Sequence, residues 1–134
     1  MQLKTFLVLV EDREEKAKNI IKVLEREGIE YIQFKAQNPS LKYISENHDD
    51  IDAIILDICL PLFENSNNYN LDAGKEILQE LKILDFNIPV LINSKQLFHI
   101  DEKEYPFVFK ERMFCSKDVE TLRKFLKSIT EKEQ

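Results

Sequence analysis

Short apolar runs alternate along this chain with stretches whose apolar residues recur every three or four positions. Phe6–Val10 is apolar without a break, as a strand covered on both faces requires. Beyond it, Ala17, Ile20, Ile21 and Leu24 share one helical face. Asp12 and Glu15 have capping-box spacing ahead of that helix, and Gly28 supplies its C-terminal stop. Residues 31–35 predict a second strand. Residues 39–46 predict a short helix, with Pro39 near its start and Leu41 and Ile44 inward. Ala53–Leu56 reads as a third buried strand that ends at Asp57. The Asn-rich residues 64–70 predict a loop. A third helix is expected over 72–84, with Ile77, Leu78 and Leu81 on one face, then a fourth strand over 88–92. Residues 96–104 fit a short helix or a loop equally. A short fifth strand is expected over 107–109. The last helix is expected over 116–132, capped by Ser116 and burying Val119, Leu122, Leu126 and Ile129.

Strand–helix alternation of this kind predicts an α/β fold: a parallel sheet with right-handed crossovers and helices on both faces. The chain's 134 residues suffice for a single domain over 1–134 and not for two. Two Gly and four Pro argue against a turn-rich all-β fold. The formal net charge of −6 disfavours direct nucleic-acid binding, which needs a basic face, and suits a cation or a basic partner surface. Cys59 and Cys115 lack metal-ligand spacing and read as small core residues. With no apolar run near membrane-spanning length, the sequence predicts a reduced cytoplasmic protein without membrane contact.

In open parallel sheets, ligands bind beyond the carboxyl ends of the strands. The polar residues at those ends are Glu11 and Asp12, Asp57, Asn93 and Ser94, and Lys110. Three carboxylates brought together repel and raise at least one pKa, which a hard cation relieves. Mg²⁺ prefers a few carboxylates plus water and phosphate oxygens. A hydroxyl and an ammonium opposite the acids suit a phosphoryl group, and an Asp beside a metal can act as the nucleophile.

The motifs Leu9-Val10-Glu11-Asp12, Ile55-Leu56-Asp57-Ile58-Cys59-Leu60-Pro61, Ile88-Pro89-Val90-Leu91-Ile92-Asn93-Ser94 and Phe107-Val108-Phe109-Lys110 stand in order at four strand ends. In this the whole chain resembles the receiver domains of two-component response regulators. The resemblance implies a doubly wound five-stranded sheet of order 2-1-3-4-5. It implies Asp57 as phosphoryl acceptor, with Glu11, Asp12, Asp57 and the Cys59 carbonyl around Mg²⁺. Ser94 would hydrogen-bond the phosphoryl group, Lys110 would pair with its charge, and Phe107 would be an aromatic switch. The donor would be a phosphohistidine on a sensor histidine kinase or phosphotransfer protein, and the chain a phosphoprotein signalling module rather than a conventional enzyme. Output would pass through protein contacts to a downstream partner, with a homodimer left open.

Four features depart from the family pattern. Residues between Pro61 and Gly74 include an insertion of roughly nine, long enough to act as a lid or a partner contact. Lys95 stands where a very small residue is usual. Glu111 stands where Pro is usual, so the bond before it is expected to be trans. The short segment between Ser94 and Lys110 implies a reduced or irregular fourth helix. These features favour a second reading, a pseudo-receiver that serves as an interaction module without phosphorylation. A third reading is a Mg²⁺-dependent phosphohydrolase-like domain, which typically needs a second Asp two residues after the first. Position 59 is Cys.

Overall fold

The computed structural model describes residues 4–95, 99–115 and 118–131. Its strands and helices follow in the order β1 (Phe6–Val10), α1 (Glu14–Arg26), β2 (Glu30–Phe34), α2 (Gln37–Asn47), β3 (Ala53–Leu56), β4 (Leu60–Pro61), β5 (Tyr69–Asn70), α3 (Ala73–Ile83), β6 (Val90–Ile92) and α4 (Val119–Glu131). A short 3₁₀ turn, His48–Asp50, leads into β3. Four strands form a parallel sheet in the order β2-β1-β3-β6. This is the order expected for the first four strands.

Side-chain alternation explains the unbroken apolar runs. Leu7, Leu9, Ala53, Ile55 and Leu91 face one layer, where α1 and α4 supply Ile20, Leu24, Leu122 and Phe125. Val8, Val10, Ile54, Leu56, Val90 and Ile92 face the other, against Ile44 of α2 and Ile77, Leu78 and Leu81 of α3. A strand buried on both faces has no polar positions to spare. Each fully buried Leu or Ile contributes about 1.5–3 kcal/mol relative to exposure. At the end of α1, Gly28 adopts φ +71°, the left-handed conformation that stops the helix, as its position suggests.

The fifth strand is not continuous. Two isolated parallel bridges, Val90 with Val108 and Asn93 with Met113, take its place beside β6. Phe109 N donates to Val90 O at 2.8 Å, and Met113 N donates to Ile92 O at 2.9 Å. In an unbroken ladder Glu111 would make that second bond. Two extra residues therefore bulge out between the bridges, and Lys110 leaves with them. The Lys110–Glu111 bond is trans, since the described chain has no cis peptide.

Other expectations shift. The loop expected over 64–70 ends in β5, which pairs antiparallel with β4 through Leu60–Asn70 and Pro61–Tyr69. Asp12 and Glu15 do not form a capping box. Arg13 holds the N-cap position of α1 without a side-chain bond, because Asp12 is engaged elsewhere. Among the described residues no helix forms between β6 and α4. The expected cap Ser116 and residue 132 lie outside the described residues, as do 96–98 of the segment left between helix and loop. Cys59 and Cys115 are half-buried free thiols, not core residues. No helix among the described residues is long and apolar enough to cross a membrane.

Candidate functional site

The ladder carries the acids to one end of the sheet. Glu11 N donates to Phe34 O at 3.0 Å, Asp57 N to Val10 O at 3.0 Å, and Asn93 N to Leu56 O at 2.8 Å. Glu11, Asp57, Asn93 and Ser94 are thereby fixed by backbone bonds next to one another, all of them buried. Carboxylate oxygens of Glu11, Asp12 and Asp57 lie within 4.8 Å of one another.

Glu11 is fully buried, and a buried acid stays ionised only if it is compensated. Its compensation is thin: Arg13 N donates to Oε2 at 3.2 Å and Asn93 Nδ2 to Oε1 at 3.2 Å. Burial and the neighbouring charge of Asp57 push the Glu11 carboxyl up to about 9. Burial also raises Asp57, against the bond that Ile58 N donates to Oδ1 at 2.8 Å. Burial and mutual repulsion thus both oppose full ionisation of the two carboxyls in the metal-free state. Asn93 Oδ1, buried beside them, has no hydrogen-bond partner.

The helix opposite Asp57 comes unusually close. Gly74 N donates to Ile58 O at 2.9 Å. A Cβ at position 74 would stand 2.6 Å from Asp57 O and 2.6 Å from Ile58 Cδ1. Gly74 comes late in the sequence because the β4–β5 hairpin precedes it, yet it reaches the end of β3.

That hairpin also covers the acids. The Tyr69 hydroxyl donates to Asp12 Oδ2 at 2.9 Å. Asn70 Nδ2 donates to Gln37 Oε1 at 2.9 Å and also to Glu76 Oε2, which ties the hairpin to α2 and α3. The hydrogen bond to Asp12, and then the charge of Asp12, push the Tyr69 phenol up. An incoming cation must share Asp12 with this phenol. Tyr69→Phe should therefore tighten Mg²⁺ binding about two- to fivefold, one neutral-to-charged hydrogen bond's worth at an exposed position. A Mg²⁺ titration followed by thermal shift measures this, and an unchanged midpoint would show that the phenol does not compete.

Asp12, Asp57, Cys59, Tyr69 and Ser94 line a cavity of about 230 Å³ together with Arg13, Lys16 and Lys95. The structure thus brings together Asp12, Asp57, Cys59 and Ser94 of the expected site around this cavity, and Glu11 lies beside the two aspartates. It does not bring Lys110 to them. Lys110 is exposed and lines a separate cavity with Ile92 and Tyr105. Phe107 is half-buried and packs edge-on against Tyr105, 6.0 Å between ring centres. Sequence reasoning overlooked Lys16 and Tyr69. Lys16 lies four residues after Asp12, one helical turn, which was a usable signal. Nothing local marks Tyr69, since a hairpin of its own brings it to Asp12.

Three hard oxygen donors at this spacing fit a small divalent cation such as Mg²⁺, and Ser94 and the Cys59 backbone offer further oxygens nearby. No protein-family model matches the chain. No curated protein sequence matches it. Solved structures do. The signal receiver domain of a LuxO repressor protein from Vibrio parahaemolyticus superposes with TM-score 0.68 at 19% identity, over 97% of this chain and 95% of that one. The chain has the fold of response-regulator receiver domains. The bacteriophytochrome response regulator AtBRR shares that receiver fold at TM-score 0.62 and 19% identity, over 96% of this chain and 94% of its own. A de novo designed Rossmann 2x3 protein also matches, at TM-score 0.64 and 22% identity over 94% and 91%. The receiver fold therefore establishes architecture, and chemistry must be argued from the site.

Proposed function

We propose that this chain is a single receiver-like domain, residues 1–134, that accepts a phosphoryl group on Asp57 in a cytoplasmic two-component phosphorelay. The observation that carries this reading is the buried Asp57 carboxylate at the end of β3, with Glu11 and Asp12 beside it and Ser94 across the same cavity. A buried acid pair of this kind costs stability, and a site that gathers charge at a strand end is built for a ligand.

Glu11, Asp12, Asp57 and the Cys59 carbonyl would hold Mg²⁺, which when bound supplies positive charge against the phosphoryl oxygens. Asp57 attacks the phosphorus of a phosphohistidine on a sensor kinase or phosphotransfer protein. The phosphorus–nitrogen bond breaks as the phosphorus–oxygen bond to Asp57 forms, and the freed imidazole takes a proton from water. Ser94 donates a hydrogen bond to the new phosphoryl group. Phe107 lies along the fifth-strand edge as the candidate relay to a downstream protein. The domain is a signalling module that assists its own phosphorylation.

Mg²⁺ with a small phosphodonor such as phosphoramidate should add one phosphoryl group, read by intact mass, and Asp57→Ala should abolish it. Absence of uptake by wild type under those conditions overturns the reading. A pseudo-receiver is the second reading, favoured by the displacement of Lys110 and by the Tyr69 bond to Asp12. It predicts that Mg²⁺ leaves thermal stability unchanged, because a ligand that does not bind cannot stabilise.

A further inference from the structure

We propose that Lys16 of α1 is the cation that pairs with the phosphoryl group on Asp57, in the role an unbroken fifth strand would give to Lys110. This rests on the reading of Asp57 as phosphoryl acceptor.

The bulge is the first part of the case. From one bridge to the next, β6 advances from Val90 to Asn93 while its neighbour advances from Val108 to Met113. The extra length carries Lys110 outward. Moving it back would break the bonds from Met113 N to Ile92 O and from Ser94 N to Met113 O, both 2.9 Å. It would also pull Met113, fully buried, out of the core layer beside α1 and α4. The edge is therefore locked in a register that excludes Lys110.

A transferred phosphoryl group still brings negative charge into a cavity already walled by acids, so a cation is needed there. Among the described residues three line it: Arg13, Lys16 and Lys95. Arg13 and Lys95 are exposed. Lys16 is half-buried on the first turn of α1, a rigid element whose inner face is packed by Ala17 and Ile20. Lys35, the next cation near the start of α1, is held by Glu14 at 2.9 Å. No ion pair engages Lys16 among the described residues. A flexible ammonium suits a ligand that comes and goes.

The experiment compares wild type with Lys16→Ala, Lys16→Arg, Lys95→Ala and Lys110→Ala. Two quantities are measured: the rate of phosphoryl uptake from phosphoramidate with Mg²⁺, and the midpoint for Mg²⁺ by thermal shift. Lys16→Ala should slow uptake about tenfold or more, the loss of one charge-assisted contact, with partial recovery in Lys16→Arg. Its Mg²⁺ midpoint should stay equal or tighten, since a positive charge near the acids is gone, and this also verifies that the variant folds. Lys95→Ala and Lys110→Ala should take up phosphoryl within about twofold of wild type. Wild-type uptake that Lys16→Ala leaves intact overturns the assignment alone. So does a tenfold loss in Lys110→Ala or Lys95→Ala. Failure of wild type itself to take up phosphoryl overturns the phosphoacceptor reading and this assignment with it.

Discussion

In the absence of metal, Glu11→Gln should be more stable than wild type at pH 8 and nearly equal to it at pH 5. Glu11 is fully buried, and its carboxyl is pushed from an ordinary value of 4.5 to about 9 by burial and by Asp57. Below pH 4.5 the folded and unfolded chains both carry the proton. Between 4.5 and 9 the unfolded chain has released it and the folded chain keeps it. The folded state then binds more protons, so its stability falls as pH rises through this window. Asp57 is raised too, so the pair resists full ionisation as a unit. Glutamine removes one titrating group, can donate to Asp57 and ends the mutual repulsion of the two carboxylates. The gain at pH 8 should be on the order of 2 kcal/mol, well below the full shift because the proton is shared with Asp57. Melting curves across pH 5–8.5 measure it. A variant less stable than wild type at pH 8 would mean that Glu11 sits ionised and well compensated.

Mg²⁺ should reverse this pH dependence in wild type. A cation favours the ionised carboxylates, so binding releases a proton and tightens as pH rises. Glu11→Gln should blunt both effects.

Gly74→Ala should destabilise the protein by about 1–3 kcal/mol and weaken Mg²⁺ binding along with it. The new Cβ would meet Asp57 O at 2.6 Å and the Ile58 Cα at 2.8 Å, and both are backbone atoms that cannot rotate away. Relief requires α3 to move off the end of β3, at the cost of packing by Ile77 and Leu78 and of the 2.9 Å bond from Gly74 N to Ile58 O. The strain falls on the residues that position Asp57, so stability and metal binding should drop together. Thermal melting with and without Mg²⁺ tests this, and a wild-type melting temperature would show that α3 has room to shift.

Much of the architecture was legible because it rests on short-range signals. The bounds of β1 and β3 follow from runs of residues that have no polar side, and the ends of α3 and α4 lie within a few residues of their apolar stripes. Strand ends also marked Glu11, Asp12, Asp57 and Ser94, since a polar residue after a two-face-buried strand must lie at its mouth. The fifth strand misled for a related reason. Phe107, Val108 and Phe109 carry a strand's composition, but composition does not record that Met113, three residues beyond Lys110, makes the next bond to β6.

A parallel α/β sheet with acids gathered at its carboxyl end is readable from the order of the residues alone. Which cations line their pocket, and what reaches over Asp12, emerge only in the folded chain. Periodicity reports which face of an element is buried, whereas register along an open sheet edge depends on competition between distant pairings. Here burial of Met113 won over an unbroken strand, so Lys110 lies outside the pocket that Arg13, Lys16 and Lys95 line. The hairpin of residues 60–70 closes on itself, so its composition could announce a loop but not that Tyr69 would reach Asp12.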